Sequence, residues 1–396
     1  MIRPENEAQL AEAIRDASGA LSIRGGATRG LSPAGAAIET SGLHGVRLYE
    51  PGALTLVVGA GTPMDDIDTI LGEKNQRLAF EPMDHRALLG TSGVPTIGGV
   101  AAANVSGPRR LQVGAARDHM LGVRFVTGTG EIVKNGGRVM KNVTGYDLVK
   151  VLAGSYGTLG VLSEVSLKVQ AIPEAQATLV LRGQGMSDAL ADLMRAMSTP
   201  YDVSGAAYVS SVNGKTGSER RIRVEGMAGS VAYRAGKLAD LLGADAVIEG
   251  EDSAALWQEL RDVAPFAGRD GAVWKVSTRP SRAAGLSQAL VEGGQPHEVI
   301  ADWSGGLLWL LVPEAGDLGA AAIRAAVAQA GGHATLIRGD LARTGVTRFQ
   351  SQGPIQDRLA AGLRARFDPR GILNAGLMDM TKTGPGADAA RVKDPV

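Results

Sequence analysis

Cysteine is missing altogether from this 396-residue chain. That excludes disulfides, a catalytic thiol, a cysteine zinc site and an iron–sulfur cluster, whose irons need thiolate ligands. Aromatic residues are few, with 4 Trp, 6 Tyr and 5 Phe, and neither sign of charge prevails, since Lys+Arg and Asp+Glu are both 41. A neutral chain with no basic run gives no support for phosphate-backbone binding, so no nucleic-acid partner is expected. No stretch approaches the roughly 20 apolar residues of a membrane span. Arg3, Glu5 and Glu7 stand where a secretory leader would be apolar, so a soluble cytoplasmic protein is expected, touching a membrane only indirectly through a complex. The histidines are His44, His85, His119, His297 and His333, with no pair at helical metal-ligand spacing and no H-E-x-x-H or G-x-S-x-G string. No metal site is expected.

Glycine is abundant instead, at 55 residues, about twice its ordinary share of ~7%. Fifteen of them fall between Gly90 and Gly160. Glycine permits positive φ and close backbone approach, at an entropic cost. Such a cluster points to a large ligand held by backbone groups.

Residues 4–18 read as an amphipathic helix, with Leu10, Ile14 and Ala17 on one stripe and acids in the first turn. Strand-like runs follow at 21–24, 36–40, 45–50 and 54–60, and Thr62-Pro63 opens a helix over 63–71. The glycine-rich region closes with the strand GVLSEVSLKVQ, and Ile172-Pro173-Glu174 marks the first boundary, giving units 1–172, 173–345 and 346–396. In the second unit, strand 176–182, helix 187–197, strands 203–210 and 220–225, helix 230–242 and strand 244–249 come first. After an extra helix at 252–263 the order returns as strand 272–277, helix 281–292, strands 298–302 and 306–312, helix 317–330 and strand 333–338. This is β-α-β-β-α-β twice, a split-βαβ duplication joined into one antiparallel sheet with helices on one face. The third unit holds a helix at 353–367, the FDPRGILN segment and a tail expected to fray from about 381. The fold class is α+β.

VVGAGTPMDDI at 57–67 starts like a dinucleotide fingerprint, but Met64 stands where the third glycine should be. It reads as a tight turn. Gly214-Lys215-Thr216 lacks the leading glycine of a P-loop, because Val209 occupies that place, and reads as a hairpin turn. Two glycine loops carry more. Arg24-Gly25-Gly26-Ala27-Thr28 follows a strand directly, where successive N–H groups can form a nest for an anion; an ordinary β-turn is the alternative. Thr96-Ile97-Gly98-Gly99 opens a small-residue helix whose N-terminus can offer N–H groups to a phosphate, against the alternative of tight packing alone.

In order and spacing these loops resemble the vanillyl-alcohol-oxidase superfamily, flavoproteins with an FAD-binding domain of the p-cresol-methylhydroxylase type. The matching strings are Arg24–Thr28, Thr96–Gly107, Gly154–Val161 and Phe367–Asn374, the last with Ala375 in place of the family's proline. The run Gly137–Leu148, together with Ser106-Gly107-Pro108-Arg109-Arg110 and Gly331–Thr335, is similar to the E-subunit family of bacterial glycolate oxidases. The resemblance implies a two-part FAD-binding domain with a cap. It assigns Arg24, Gly25, Gly26, Ala27, Thr28 and Arg29, with Thr96, Gly98 and Gly99, to the pyrophosphate. Asn104, Gly107, Pro108, Arg117, Asp118, Gly154, Ser155, Gly157, Thr158, Gly160, Val161 and Asn374 would line the rest of the cofactor. Covalent members often carry histidine where Thr28 stands, so FAD is expected to be held non-covalently.

The implied chemistry is hydride transfer from the α-carbon of a short 2-hydroxy acid to FAD. Electrons would pass to a separate iron–sulfur (F) subunit, beside an FAD-carrying D subunit. The H-x-G-D-G-N-x-H metal motif of related hydroxy-acid oxidisers is missing, which keeps open a non-catalytic FAD-holding or relay role. His333 and Arg338 are the candidate catalytic residues, although a regular strand would point them to opposite faces; Arg338 suits bidentate pairing with a carboxylate, with a surface salt bridge as the alternative.

Overall fold

The computed structural model describes residues 1–138, 145–212 and 215–378. Part of the Gly137–Leu148 string, the turn at 213–214 and the expected fraying from 381 lie outside the described residues. The N-terminal helix spans Glu7–Arg15, with the Asn6 side chain accepting the Gln9 N–H at its start. Its Leu10 and Ile14 are wholly buried, as the stripe required.

Strands β1 (Leu21–Arg24) and β2 (Ala36–Glu39) pair in parallel. The C-terminal segment adds to them: the Leu21 N–H donates to the Ile372 carbonyl at 2.7 Å, and the Asn374 N–H to the Leu21 carbonyl at 2.9 Å. A five-stranded antiparallel sheet runs in the order β3 (Val46–Glu50), β4 (Thr55–Gly59), β8 (Val161–Lys168), β6 (Met120–Val126) and β7 (Ile132–Gly136). A short ribbon joins β5 (Gln76–Arg77) to β9 (Gln170–Ala171). Both neighbours of β4 are antiparallel to it, so the VVGAG turn belongs to no parallel dinucleotide-binding unit. Cβ atoms on Gly59 and Gly61 would strike the Leu43 and Thr40 carbonyls, which is why this turn needs glycine.

The remaining strands are β10 (Ala175–Arg182), β11 (Val203–Val212), β12 (Lys215–Gly226), β13 (Ala246–Glu249), β14 (Ala272–Thr278), β15 (Glu298–Asp302), β16 (Leu307–Val312) and β17 (Gly332–Arg338). They form one eight-stranded sheet in the order β13-β10-β12-β11-β15-β16-β14-β17. Each half is the expected split-βαβ unit, and Tyr208↔Ala301 and Val209↔Ile300 join them. Helices Met186–Met197, Ala228–Leu242, Pro280–Glu292 and Ala320–Ala330 belong to one face, where Trp274, Val276, Leu308 and Leu310 pack with Leu193, Leu238, Leu286 and Val327.

The other face carries no such helix layer. Its Ala207, Val209, Val273, Ile300, Leu307, Trp309 and Leu311 share a core with Leu56, Phe80, Ile97 and Phe125 of the N-terminal region. The helix Gly250–Arg261 seals one side through Trp257, whose indole N–H donates to Thr178 Oγ1 at 2.8 Å. Gly205 is required beneath it, since a Cβ there would stand 2.7 Å from the indole.

Charge is buried in this seam. Arg223 of β12 meets Glu81 at 2.9 Å and Glu225 at 3.4 Å, and Arg109 meets the same two carboxylates. Both arginine side chains are 2% exposed and Glu225 is 5% exposed, so water screens these pairs little. Burial works against the Arg223 cation, yet Glu81 and Glu225 outweigh it and hold its proton more firmly than usual. Removing one member of a buried network strands the others. Arg223→Met is therefore expected to lower stability by about 3–5 kcal/mol, measured by urea unfolding; a loss below about 1 kcal/mol would mean that the network does not join the two parts.

Candidate active site

The chain leaves β1 at Arg24 and turns through Gly25–Arg29, with Ala27 at φ +55. The Thr91–Thr96 loop lies against it, backbone on backbone. A Cβ on Gly26 would strike the Val94 carbonyl, and one on Gly93 would strike the Gly26 carbonyl. Arg24, Gly25, Gly26, Ala27, Thr28, Arg29, Thr96, Gly98, Gly99, Gly157, Gly160, Val161 and Asn374, all named from the sequence, line one cleft.

The helix Ile97–Ala102 contributes less than its sequence promised. The Ile97 N–H donates to the Thr62 carbonyl and the Gly98 N–H to the Ala60 carbonyl at 2.7 Å, so these donors are already used. Gly98 is needed for that approach, because its Cβ would sit 2.6 Å from the Ala60 oxygen. Gly99 keeps only a long 3.4 Å bond to the capping Thr96 hydroxyl. The charge comes from Arg29, whose Nη1 lies 2.7 Å from where a Gly99 Cβ would stand. Burial draws the pKa of this guanidinium down to about 10, leaving it cationic, and its Nε has no hydrogen-bond partner among the described residues. The N–H groups of Gly26, Ala27, Thr28 and Arg29 also find no acceptor among the described residues. A buried cation above a nest of free N–H groups calls for an anion. The FAD pyrophosphate fits this cradle.

Asn374 ties the cleft together. Its side chain accepts the Ile23 N–H and donates to the Tyr156 carbonyl, both at 2.7 Å. Tyr156 and Arg29 line this cleft and a second one. The second cleft lies under the face of the large sheet that lacks the four-helix layer. Asn104, Gly107, Pro108, Arg117, Gly154 and His333 line it, as do His85, Arg110, Lys275, Asp302, Trp303, Trp309 and Arg348. Three expected cofactor residues fall outside both walls. Asp118 caps the Ala115 N–H at 2.9 Å and pairs with Lys150, while the Thr158 hydroxyl donates to the Ser155 carbonyl, bracing the loop from within.

His333 reaches the second cleft with Thr335 and Ile337, the alternation expected of β17. Arg338 does not. Its guanidinium donates to the carbonyls of Gly271, Leu88, Phe266 and Arg269 at 2.7–3.1 Å, so it clamps loops together and lines neither cleft. Sequence reasoning missed Lys275, Asp302, His85, Tyr156 and Arg348. The only signal was β14 itself, where Lys275 breaks the apolar run Ala272–Val276.

The second cleft is electropositive. Burial, with Arg110 and Arg29 nearby, lowers Lys275 to about 8. Burial lifts Asp302 to about 7. Burial and then Arg29 and Lys275 lower His85 to about 3. These shifts set opposite pH slopes. Below pH 6.5 the unfolded chain protonates His85 and the fold does not, so acid removes stability; between about 7 and 3.8 the fold protonates Asp302 and the unfolded chain does not, so acid adds it. Compared with the parent, His85→Gln should gain relative stability from pH 7 to 5 and Asp302→Asn should lose it, in urea melts at each pH; identical slopes would contradict this. Arg29→Met should lose most of its bound flavin, read from the visible spectrum of the folded protein, whereas full retention would misplace the pyrophosphate.

Comparison with known proteins agrees with this geometry. Residues 1–136 match the FAD binding domain family model. The glycolate oxidase subunit GlcE of Escherichia coli K12 is 33% identical over 85% of both chains. Glycolate oxidase subunit GlcD of Bacillus subtilis is 40% identical over 22% of this chain and 18% of its own. Among solved structures, alkyldihydroxyacetonephosphate synthase shares the fold, with a TM-score of 0.65 at 17% identity over 94% of this chain and 75% of that one. The chain is an FAD-dependent oxidoreductase that belongs to the family of the glycolate oxidase subunit GlcE.

Proposed function

We propose that this chain is the flavin-holding subunit of a glycolate oxidase-type complex that oxidises a short 2-hydroxy acid. One observation carries the reading: the pyrophosphate cradle and a cation-rich second cleft meet at Arg29 and Tyr156. Bound FAD supplies a hydride acceptor for the substrate's α-carbon. The chain's own residues do the rest. Arg29 and the 26–29 nest hold the cofactor, and Asn374 fixes the loop beside it through Ile23 and Tyr156. The second cleft draws in an anionic acid and keeps water out behind Trp303 and Trp309.

His333 is the proposed acceptor of the hydroxyl proton at its imidazole. Partial enclosure, with Lys275 and Arg110 adding to it, holds its pKa below the usual histidine range, so it stands neutral at pH 7. Product is the 2-oxo acid. Without cysteine, the chain passes its electrons to a separate iron–sulfur subunit, with a GlcD-type subunit as a further partner. No helix among the described residues is long and apolar enough to cross a membrane. Thr28, where a covalent link would form, leaves the FAD non-covalently held.

The absent H-x-G-D-G-N-x-H string favours the second reading, a flavin-holding or relay subunit beside a catalytic paralogue. Anaerobic stopped-flow with glycolate or D-lactate separates the two. Bleaching of the flavin in the isolated chain, slowed about 100-fold or more by His333→Asn at unchanged flavin content, supports the catalytic reading. A flavin that stays oxidised until the paralogue is added supports the relay.

A further inference from the structure

Lys275 sits in the middle of β14 on the face opposite the four-helix layer, paired across to Trp309 on one side and Thr335 on the other. Its ammonium lies 5.7 Å from the Trp309 ring centre and 5.9 Å from that of Trp303. The Arg110 guanidinium stacks 4.4 Å from the same Trp303 ring. Trp303 is held firmly. Its indole N–H donates to the Gly107 carbonyl at 3.0 Å, which ties the large sheet to the N-terminal region. Its backbone and that of Ser304 sit at φ +53 and +54, left-handed positions that are uncommon for side-chain-bearing residues.

Neither cation forms an ion pair with a carboxylate among the described residues. Asp302 is the carboxylate that acts on Lys275, and its burial leaves it about half protonated near pH 7, so it neutralises the ammonium incompletely. Tryptophan faces attract a cation but carry no net charge. Two cations therefore share an aromatic-walled pocket with no full counter-ion, and the pocket opens onto the second cleft.

We propose that the Lys275 ammonium and the Arg110 guanidinium clasp the carboxylate of the substrate, a short 2-hydroxy acid, between the Trp303 and Trp309 rings. This rests on the reading of the second cleft as the substrate site. The register gives the clasp a direction. Ser277 pairs with His333 two residues along from the Lys275–Thr335 pair, so both pairs face the cleft from the same side of the sheet. Lys275 and His333 are diagonal neighbours on one face of this pair, with backbones about 7–8 Å apart, so their side-chain ends can reach the two ends of one small hydroxy acid. A carboxylate on Lys275 turns the adjoining hydroxyl towards His333.

Oxalate, a two-carbon dianion that cannot be oxidised by hydride loss, is the probe. Calorimetric titration of the flavin-loaded chain should show oxalate binding that weakens at least tenfold in Lys275→Gln and largely returns in Lys275→Arg, with flavin content unchanged in both. In turnover the KM for glycolate should rise at least tenfold in Lys275→Gln while kcat changes far less. Oxalate bound equally by parent and Lys275→Gln would overturn the clasp. Parent protein that is bleached by glycolate but does not bind oxalate would overturn the clasp and leave the proposed function standing. Oxalate binding that depends on Lys275, in a chain whose flavin glycolate never bleaches, would uphold the clasp and overturn the proposed catalysis.

Discussion

An eight-stranded sheet with helices on one face leaves a second face to be covered, and here the glycine-rich region of the same chain covers it. The contact is mixed. Val273, Ile300, Leu307 and Leu311 enter a common core with Phe80, Ile97 and Phe125, while Arg223, Arg109, Glu81 and Glu225 form a charge network inside the same seam. Apolar burial supplies most of the attraction. The charges contribute geometry, because a buried pair tolerates little displacement before its desolvation is uncompensated. That seam sets the distance between the sheet and the loops beneath it.

Both clefts follow from this docking. The first lies within the N-terminal region, and the C-terminal Asn374 closes it after the chain has travelled through the whole large sheet. The second exists only between the two parts, with β14, β16 and β17 as its roof and the 104–110 segment as its floor. Arg29 and Tyr156 stand where they join. Each cleft is left with positive charge that the described residues do not fully offset, Arg29 in one and Lys275 with Arg110 in the other. A pyrophosphate and, as proposed, a substrate carboxylate would balance the charge that the protein alone leaves unpaired in the two clefts.

Much of this was legible in the sequence. The order and type of elements in the large sheet followed from alternation and turn signals, and the duplicated unit was correctly read. The loops at Arg24–Arg29 and Thr96–Gly99 were found because glycine clusters mark close backbone approach. What failed were partners distant in sequence. Glu219, Arg221, Arg223 and Glu225 alternate along β12 as a solvent-facing strand would, yet all four are buried, because charged groups from 77–109 meet the Arg223–Glu225 end and Glu259 meets Arg221. The helix at Ile97 looked like an open anion site, but the Ala60 and Thr62 carbonyls take its first donors. Arg338 had the right chemistry for a carboxylate and was consumed by four carbonyls. Lys275 carried no motif at all, and only the fold shows that its face of β14 is enclosed.

The central claim is that the chain itself holds FAD, without a covalent bond, in the cradle under Arg29. The most direct measurement is the visible spectrum of the purified chain, followed by acid precipitation and identification of whatever flavin stays in solution. A flavin spectrum, with the chromophore released entirely into the supernatant as FAD, is the predicted result. A colourless protein that cannot be reconstituted with FAD, or a yellow pellet that retains its flavin, would contradict the account.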